Sequence, residues 1–173
     1  MELSQRARVR AGDHDEFGVL FEEHARAVYN HAFRLTGNWS AAEEVVSLTF
    51  LEAWRLRGTV RPEGGSLLPW LLGIALNVAR NVSRASRRQH AAMNDDAERL
   101  EKIHAALSTL RRAERDVLAL CVWSGLNYAE AAEALGVPVG TVRSRLSRAR
   151  RKLQREPGPV SEQVTGDRVG GTR

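Results

Sequence analysis

The sequence has few of the residues on which several classes of protein depend. Cys121 is the only cysteine among 173 residues, so we expect no internal disulfide and no cysteine cluster that could bind zinc. The five histidines are scattered along the chain. His24 and His31 are seven residues apart and could share a helix face, but we expect both to be exposed to solvent rather than to bind a metal. The sequence therefore predicts no metal site and no cofactor.

Long apolar runs are missing as well. No segment approaches the roughly 20 apolar residues that a membrane-spanning helix needs. The N-terminal stretch MELSQRARVR has no apolar region behind its charges, which a secretory signal would require. The sequence also lacks a Walker-type glycine-rich loop, an HExxH motif and a GxSxG motif. We expect neither membrane insertion nor enzymatic activity.

Positive charge is abundant but unevenly distributed. The net charge is +5 and the isoelectric point is near 10.3, which favours a nucleic-acid partner. Residues 12–54 nevertheless carry eight acidic and two basic side chains, a net charge of −6. Residues 80–89 contain four arginines and no acid, and residues 139–156 contain seven basic residues and one acidic residue. This asymmetry predicts more than one partner surface.

Apolar residues recur at helical spacing along most of the chain, and no strand pattern is found. We predict helices over 15–36, 41–56, 69–88, 100–110 and 113–124, with Ser40 as the cap of the second helix and Glu43 completing a capping box. The Gly- and Pro-containing residues 57–67 are predicted to form a loop. The expected fold is all-α, with two small helical domains joined by a flexible linker. The predicted boundaries are 12–88 and 100–156 for the domains, 89–99 for the linker and 157–173 for a disordered tail.

The segment from Tyr128 to Leu153 has the pattern of a helix-turn-helix. Gly136 can adopt the left-handed conformation that ends a first helix, and Pro138 cannot continue that helix. A second helix is expected to begin around Gly140 and Thr141. Its apolar residues step by four, three and four positions and should pack inward; they are Val142, Leu146, Ala149 and Leu153. A helix-turn-helix places its second helix in the DNA major groove.

Three segments in this order resemble the extracytoplasmic-function (ECF) group of bacterial sigma factors in the sigma-70 family. They are AAEEVVSLTFLEAW at 41–54, PWLLGIALNVARN at 69–81 and PVGTVRSRLSRAR at 138–150. The resemblance covers about residues 17–153. It implies a cytoplasmic subunit that binds core RNA polymerase and directs it to promoter DNA. Members of the group are often held inactive by an anti-sigma factor. The alternative is a stand-alone helix-turn-helix regulator, which would need a ligand or dimerisation domain.

The resemblance also assigns a role to each segment. The helix at 41–54 is implied to dock on the clamp coiled coil of the largest polymerase subunit, through Glu43, Glu44, Thr49, Phe50, Glu52 and Trp54. The loop and the helix that follows it are implied to recognise and melt the −10 promoter element, through Arg61, Trp70, Asn77, Arg80, Asn81 and Arg84. For Trp70, packing in the core remains the alternative. The last helix is implied to read the −35 element, through Thr141, Arg143, Ser144, Ser147, Arg148 and Arg151.

Some positions carry a different expectation. We expect Arg145, Arg150, Arg151 and Lys152 to contact phosphates or the polymerase flap. The chain departs from the family at Arg111, where proline is common, and at Ser47 and Leu48, where glutamine and an acid are frequent. The first departure should make the start of the following helix less rigid.

Overall fold

The computed structural model describes residues 3–86, 102 and 104–155. Its first part contains α1 (Gln5–Ala11), α2 (His14–Thr36), α3 (Trp39–Leu56), a short 3₁₀ turn (Arg57–Thr59) and α4 (Leu68–Ser86). Residues 104–108 are helical. They precede α5 (Arg112–Leu118), a π-helical turn (Ala119–Trp123), α6 (Tyr128–Leu135) and α7 (Val139–Arg155). The described residues contain no strand, which confirms the all-α prediction, whereas the linker 89–99 and the tail 157–173 lie outside them.

The first domain is built on α2, α3 and α4, which pack on one another. Their apolar stripes supply fully buried side chains such as Leu20 on α2, Val45 on α3 and Leu71 on α4. Burying each such side chain contributes about 1.5–3 kcal/mol. Phe17 on α2 extends this core, because its ring meets the ring of Trp54 edge-on with centroids 5.1 Å apart.

A glycine and an asparagine set the junction between α2 and α3. Gly37 ends α2 with φ 65°, and its N–H donates to the carbonyl oxygen of Phe33 at 2.7 Å. The side-chain oxygen of Asn38 accepts from the N–H of Ala41 at 2.9 Å and caps α3. The prediction of Ser40 as the cap is therefore wrong. Asn38 already satisfies a free N–H of the first turn, so the helix begins earlier and includes Ser40.

The helix α1 precedes the predicted start of the first domain and packs on α2 and on the 3₁₀ turn. Ser4 caps it, and Gly12 ends it with φ 85°. Val9 and Arg6 on α1 are both buried. The helical part of this domain thus begins at Gln5, seven residues before the predicted boundary at residue 12, because a seven-residue helix is too short to show clear periodicity.

The second domain contains the predicted helix-turn-helix. Gly136 ends α6 with φ 64°, as expected, and α7 begins at Val139, slightly before the predicted start. Asn127 and Glu130 form a capping box at the start of α6, with hydrogen bonds of 2.8 and 2.9 Å. The segment predicted as one helix over 113–124 changes to a wider π turn at Ala119, and the N–H of Ser124 donates to the Ala119 carbonyl.

The two domains pack directly against each other, chiefly through α4 and α6. Gly73 of α4 allows this approach, because a Cβ added there would clash with the backbone carbonyl of Ala134 on α6. Nearby, Nδ1 of His31 lies 2.8 Å from Oγ of Ser124 in the second domain. His31 is 1% exposed, so the prediction that it faces solvent is wrong. The second domain covers it, which helical periodicity within α2 could not indicate.

Candidate DNA-binding and polymerase-binding surfaces

The helix α7 separates an apolar face from a basic face. Its predicted apolar stripe is buried, with Val142, Leu146, Ala149 and Leu153 each at most 1% exposed. The side chains proposed to face DNA lie on the opposite side. Arg143, Ser144, Ser147, Arg148 and Arg151 are exposed, and Thr141 is half-buried. The burial of the stripe fixes the rotation of α7 about its axis and leaves the basic face on the surface.

The arginines of this face lie along the helix and are held weakly. Arg148 donates to the carbonyl oxygen and to Oγ of Ser144, both at 3.3 Å. Arg143 lies over the ring of Tyr128, 5.7 Å from its centroid. Contacts of this length between exposed groups contribute little to stability. The guanidinium groups can therefore exchange them for phosphates or base edges at small cost.

Lys152 differs from its basic neighbours. Its Nζ donates to both carboxylate oxygens of Glu114 on α5, at 2.8 and 3.1 Å. Burial alone would raise the pKa of Glu114, but hydrogen bonds from Lys152 and from the backbone N–H of Arg111 outweigh it and hold that pKa below its usual value. The pair joins α7 to α5. The expectation that Lys152 contacts phosphate or the polymerase flap stays a prediction, and such a contact would compete with this intramolecular pair.

Glu114 also explains how the chain accommodates its departure at Arg111. The backbone N–H of Arg111 donates to Glu114 Oε2 at 2.9 Å. A proline has no N–H and a fixed φ, whereas here the helix start is fixed by a hydrogen bond instead. The expected loss of rigidity at the start of α5 is thus offset by a side chain three residues later.

The face of α4 that the resemblance connects with the −10 element is only partly open. Asn77, Asn81 and Arg84 are exposed, and so is Arg61 in the preceding loop. Trp70 is half-buried against the core. Arg80 forms an ion pair with Asp116 of α5 and donates to Asn77 Oδ1 at 3.0 Å. One of the arginines assigned to promoter DNA is therefore paired with an acidic residue of the second domain.

A basic cleft of about 340 Å³ lies between the domains beside this ion pair. Its walls carry five arginines from both domains, and Asp116 is the one acidic residue among the described residues that line it. The arginines are Arg34, Arg80, Arg84, Arg112 and Arg115. Such a concentration of positive charge favours a polyanion on this side of the molecule.

The helix α3 presents acidic and apolar side chains together. Glu43 and Glu44 are exposed, and Leu48 and Leu51 lie beside them at 39% and 67% exposure. Phe21 of α2 adds a ring that is 45% exposed. We call these five residues the α3 docking surface. Glu44, Leu48 and Leu51 are spaced by four and three residues, so they lie along one side of α3. Exposed apolar side chains bordered by charge are typical of a protein-binding site.

The remaining α3 residues assigned to polymerase have other environments. Thr49 and Phe50 are buried within the domain, so they support α3 from inside. Trp54 is half-buried, and the guanidinium of Arg57 lies 4.3 Å from its ring centroid. Arg55 donates to Glu52, and this hydrogen bond lowers the pKa of the Glu52 carboxyl. The sequence did not single out Phe21, Leu48 or Leu51 as contact residues, because apolar spacing alone does not distinguish an exposed apolar side chain from a core one.

Other reactive groups give no sign of a further site in the described part of the chain. Those residues hold no cluster of three or more His, Cys, Asp or Glu side chains that could bind a metal ion. Burial raises the pKa of the half-buried Cys121 thiol to about 11, so this thiol is protonated at neutral pH. None of the helices in the described residues is both long enough and apolar enough to cross a bilayer.

Two family models match the chain, and together they span most of it. The model described as "Sigma-70 region 2" matches residues 20–89, and "Sigma-70, region 4" matches residues 100–153. The first match contains α3, α4 and the loop between them, and the second contains the helix-turn-helix. A stand-alone regulator would not contain region 2, so that alternative is wrong.

Individual relatives agree with this assignment. The ECF RNA polymerase sigma factor SigE of Mycolicibacterium smegmatis is 34% identical over 153 residues, which cover 78% of this chain but only 59% of that relative. The RNA polymerase sigma factor CarQ of Myxococcus xanthus is 32% identical over 171 residues, covering 91% of this chain and 98% of the relative.

Among solved structures, the sigma factor RpoE from Bartonella quintana, in complex with the anti-sigma factor NepR, superposes with a TM-score of 0.60 at 25% identity. The superposition covers 89% of this chain and 99% of that one. The matches follow the same order of domains as the helices described above. The chain therefore belongs to the sigma-70 family of RNA polymerase sigma factors, in its extracytoplasmic-function group, and its role is that of a transcription initiation factor.

Proposed function

We propose that this sigma factor directs core RNA polymerase to a subset of promoters by reading the −35 element with α7 and the −10 element with α4 and the loop before it. The observation that carries the proposal is the basic face of α7, which is exposed because the opposite stripe is fully buried. Catalysis belongs to the polymerase, and the chain acts as a binding subunit beside it in the cytoplasm. The complex of the related sigma factor RpoE with the anti-sigma factor NepR supports control by an anti-sigma factor here as well.

Run-off transcription tests this role. The full chain is mixed with core polymerase and a promoter library randomised in both elements, and the transcripts are sequenced. We expect initiation from a distinct subset of promoters. Core enzyme alone provides the background, and a chain that adds no promoter-dependent initiation above that background would contradict the proposal.

Within α7, we propose a division between base-reading and phosphate-binding arginines. Arg143 and Arg148 lie toward the start and middle of the exposed face, where a recognition helix approaches base edges, and arginine reads guanine by two hydrogen bonds. Arg151 lies one turn further along, and its guanidinium donates to Ser147 Oγ at 3.4 Å. It is placed to contact a phosphate, which carries no sequence information.

We expect Arg148→Ala to relax the base preference at one −35 position, by a factor that corresponds to about 1–3 kcal/mol. Arg151→Ala should instead weaken binding to all sequences. It should also reduce the slope of the logarithm of the binding constant against the logarithm of the salt concentration by about one. Both variants are assayed as holoenzyme against single-base variants of the best promoter, at several salt concentrations. An equal loss on every sequence for both variants would refute this division of labour.

For polymerase binding, we propose that the α3 docking surface contacts the clamp coiled coil. Phe21, Leu48 and Leu51 supply apolar area, and Glu43 and Glu44 supply negative charge for a basic partner helix. Apolar contact at the centre with charge at the border is the usual anatomy of such interfaces. The buried Thr49 and Phe50 are not part of the contact.

Reversing both charges, Glu43→Lys with Glu44→Lys, should weaken binding to core polymerase by roughly tenfold or more, because like charges brought together at an interface cost up to several kcal/mol. Neutral Glu43→Gln with Glu44→Gln should lose less, since it removes attraction without adding repulsion. Affinity is measured by titration of labelled sigma factor, and circular dichroism checks that both variants fold. Wild-type affinity in the lysine variant would show that α3 docks elsewhere.

A further inference from the structure

Arg6 on α1 has an unusual environment for an arginine near the start of a chain. Its side chain is 4% exposed and reaches across to the loop between the 3₁₀ turn and α4. Nε donates to the carbonyl oxygen of Gly65 at 2.7 Å, and Nη2 donates to that of Ser66 at 3.0 Å. Nη1 donates to the carbonyl oxygen of Arg61 at 3.3 Å. One guanidinium thus binds three backbone carbonyls within six residues of the loop.

These hydrogen bonds are strong candidates for ordering the loop. Hydrogen bonds from a charged donor contribute about twice as much as those between neutral groups, and the planar guanidinium fixes their relative directions. Most of residues 60–67 have no regular secondary structure, so their backbone oxygens depend on such partners. The loop therefore takes its shape around the Arg6 side chain.

A glycine of the loop leaves space for this guanidinium. Gly64 has φ 124°, a conformation that side chains other than glycine rarely adopt. A Cβ added at Gly64 would lie 3.0 Å from Cζ of Arg6. Gly64 thus leaves room for the arginine and allows the chain to turn around it.

Two further residues, one in α1 and one at its N-cap, contact the same loop through a single hydrogen bond each. Arg10 donates to the carbonyl oxygen of Val60 at 2.6 Å, and Ser4 Oγ donates to that of Pro62 at 3.4 Å. Arg6 also forms an ion pair of 2.9 Å with Glu133 on α6 of the second domain. That carboxylate is available only while the domains are packed together, whereas the three carbonyls belong to the first domain itself.

We infer that Arg6 is a positioning residue for promoter recognition, because it sets the shape of the loop that reads the −10 element. The inference rests on the proposed role of this loop and of α4. Arg6 is buried under the loop, so it does not itself meet a base. It determines where the exposed loop residues, including Arg61, are presented to the DNA.

The experiment is transcription by the full chain with core polymerase from the library randomised at both elements, comparing base preferences of the wild type and of Arg6→Gln. We expect preference at one or more −10 positions to fall by about fivefold or more, while preferences at the −35 element stay unchanged. Arg6→Lys, which keeps the charge but has no forked donor, should recover only part of the −10 preference. Glu133→Gln is the matched control: it removes the ion pair, leaves all three carbonyl contacts and should keep the wild-type preferences.

Gly64→Ala provides a second route to the same result. It disturbs the loop where the loop meets Arg6, and it should lower the −10 preference even if Arg6→Gln proves too unstable for study, as judged by thermal unfolding. Unchanged −10 preferences in the folded variants, or a uniform loss at both elements, would overturn the assignment of Arg6. A wild-type chain that shows no promoter preference would instead refute the proposed function itself, so the two failures are distinguishable.

Discussion

Replacing Gly73 by alanine is expected to separate the two domains while each of them remains folded. The added methyl group would clash with the backbone carbonyl of Ala134 on α6, and a backbone atom cannot move aside as a flexible side chain can. Within α4 itself, alanine favours the helix by about 1 kcal/mol over glycine. The substitution therefore acts against the domain contact and not against the helix.

Separation of the domains by Gly73→Ala should break the contacts that cross between them. These are the Arg80–Asp116 and Arg6–Glu133 ion pairs and the hydrogen bond between His31 and Ser124. Small-angle X-ray scattering should show a larger radius of gyration, and energy transfer between dyes on the two domains should fall. Gly18→Ala on α2 is the matched control, because a Cβ there meets nothing within 4 Å. An unchanged radius of gyration in Gly73→Ala would show that the α4–α6 contact does not hold the domains together.

This contact has a direct bearing on promoter recognition. Arg80, which is assigned to the −10 element, is paired with Asp116 as long as the domains are packed. The contact between the two domains therefore has to open, and the Arg80–Asp116 ion pair has to break, before Arg80 can bind DNA. If so, Gly73→Ala should bind a −10 oligonucleotide more tightly than the wild type in the absence of polymerase.

Acidification from pH 7.5 to pH 5 is expected to lower the free energy of unfolding by about 2 kcal/mol through His31 alone. Burial, with a smaller effect from Arg34, lowers the pKa of His31 from 6.5 to about 4. Between these two values the unfolded chain binds a proton that the folded protein does not. The stabilising contribution is therefore complete above pH 6.5 and is lost as the pH falls toward 4.

Urea unfolding of the full chain at pH 7.5, 6.0 and 5.0 measures this effect. His31→Gln is the control, since glutamine can still hydrogen-bond to Ser124 but does not titrate. Glu114 and Glu52 also have lowered pKa values, but they contribute equally to both proteins, so the difference between the two pH profiles isolates His31. Identical pH dependence in the wild type and in His31→Gln would contradict the burial of this imidazole.

The helix-turn-helix could be predicted in detail because each of its features is local. Gly136 ends a helix through its own backbone freedom, and the spacing of Val142, Leu146, Ala149 and Leu153 follows from the helical period. Both features were found as predicted. The cap of α3 was misassigned because Asn38 and Ser40 are both good capping residues, and only the path of the chain decides between them.

The amino-acid sequence by itself determined the all-α fold, the positions of the long helices and the division of α7 into a buried and a basic face, since these depend on residues within one or two helical turns of each other. The tertiary structure alone decided which polar and charged side chains are buried or paired with another residue of the chain. Lys152 is paired with Glu114, His31 is covered by the second domain, and Arg6 is buried under a loop nearly 60 residues away. Each of these outcomes depends on contacts between distant segments, which no local periodicity encodes.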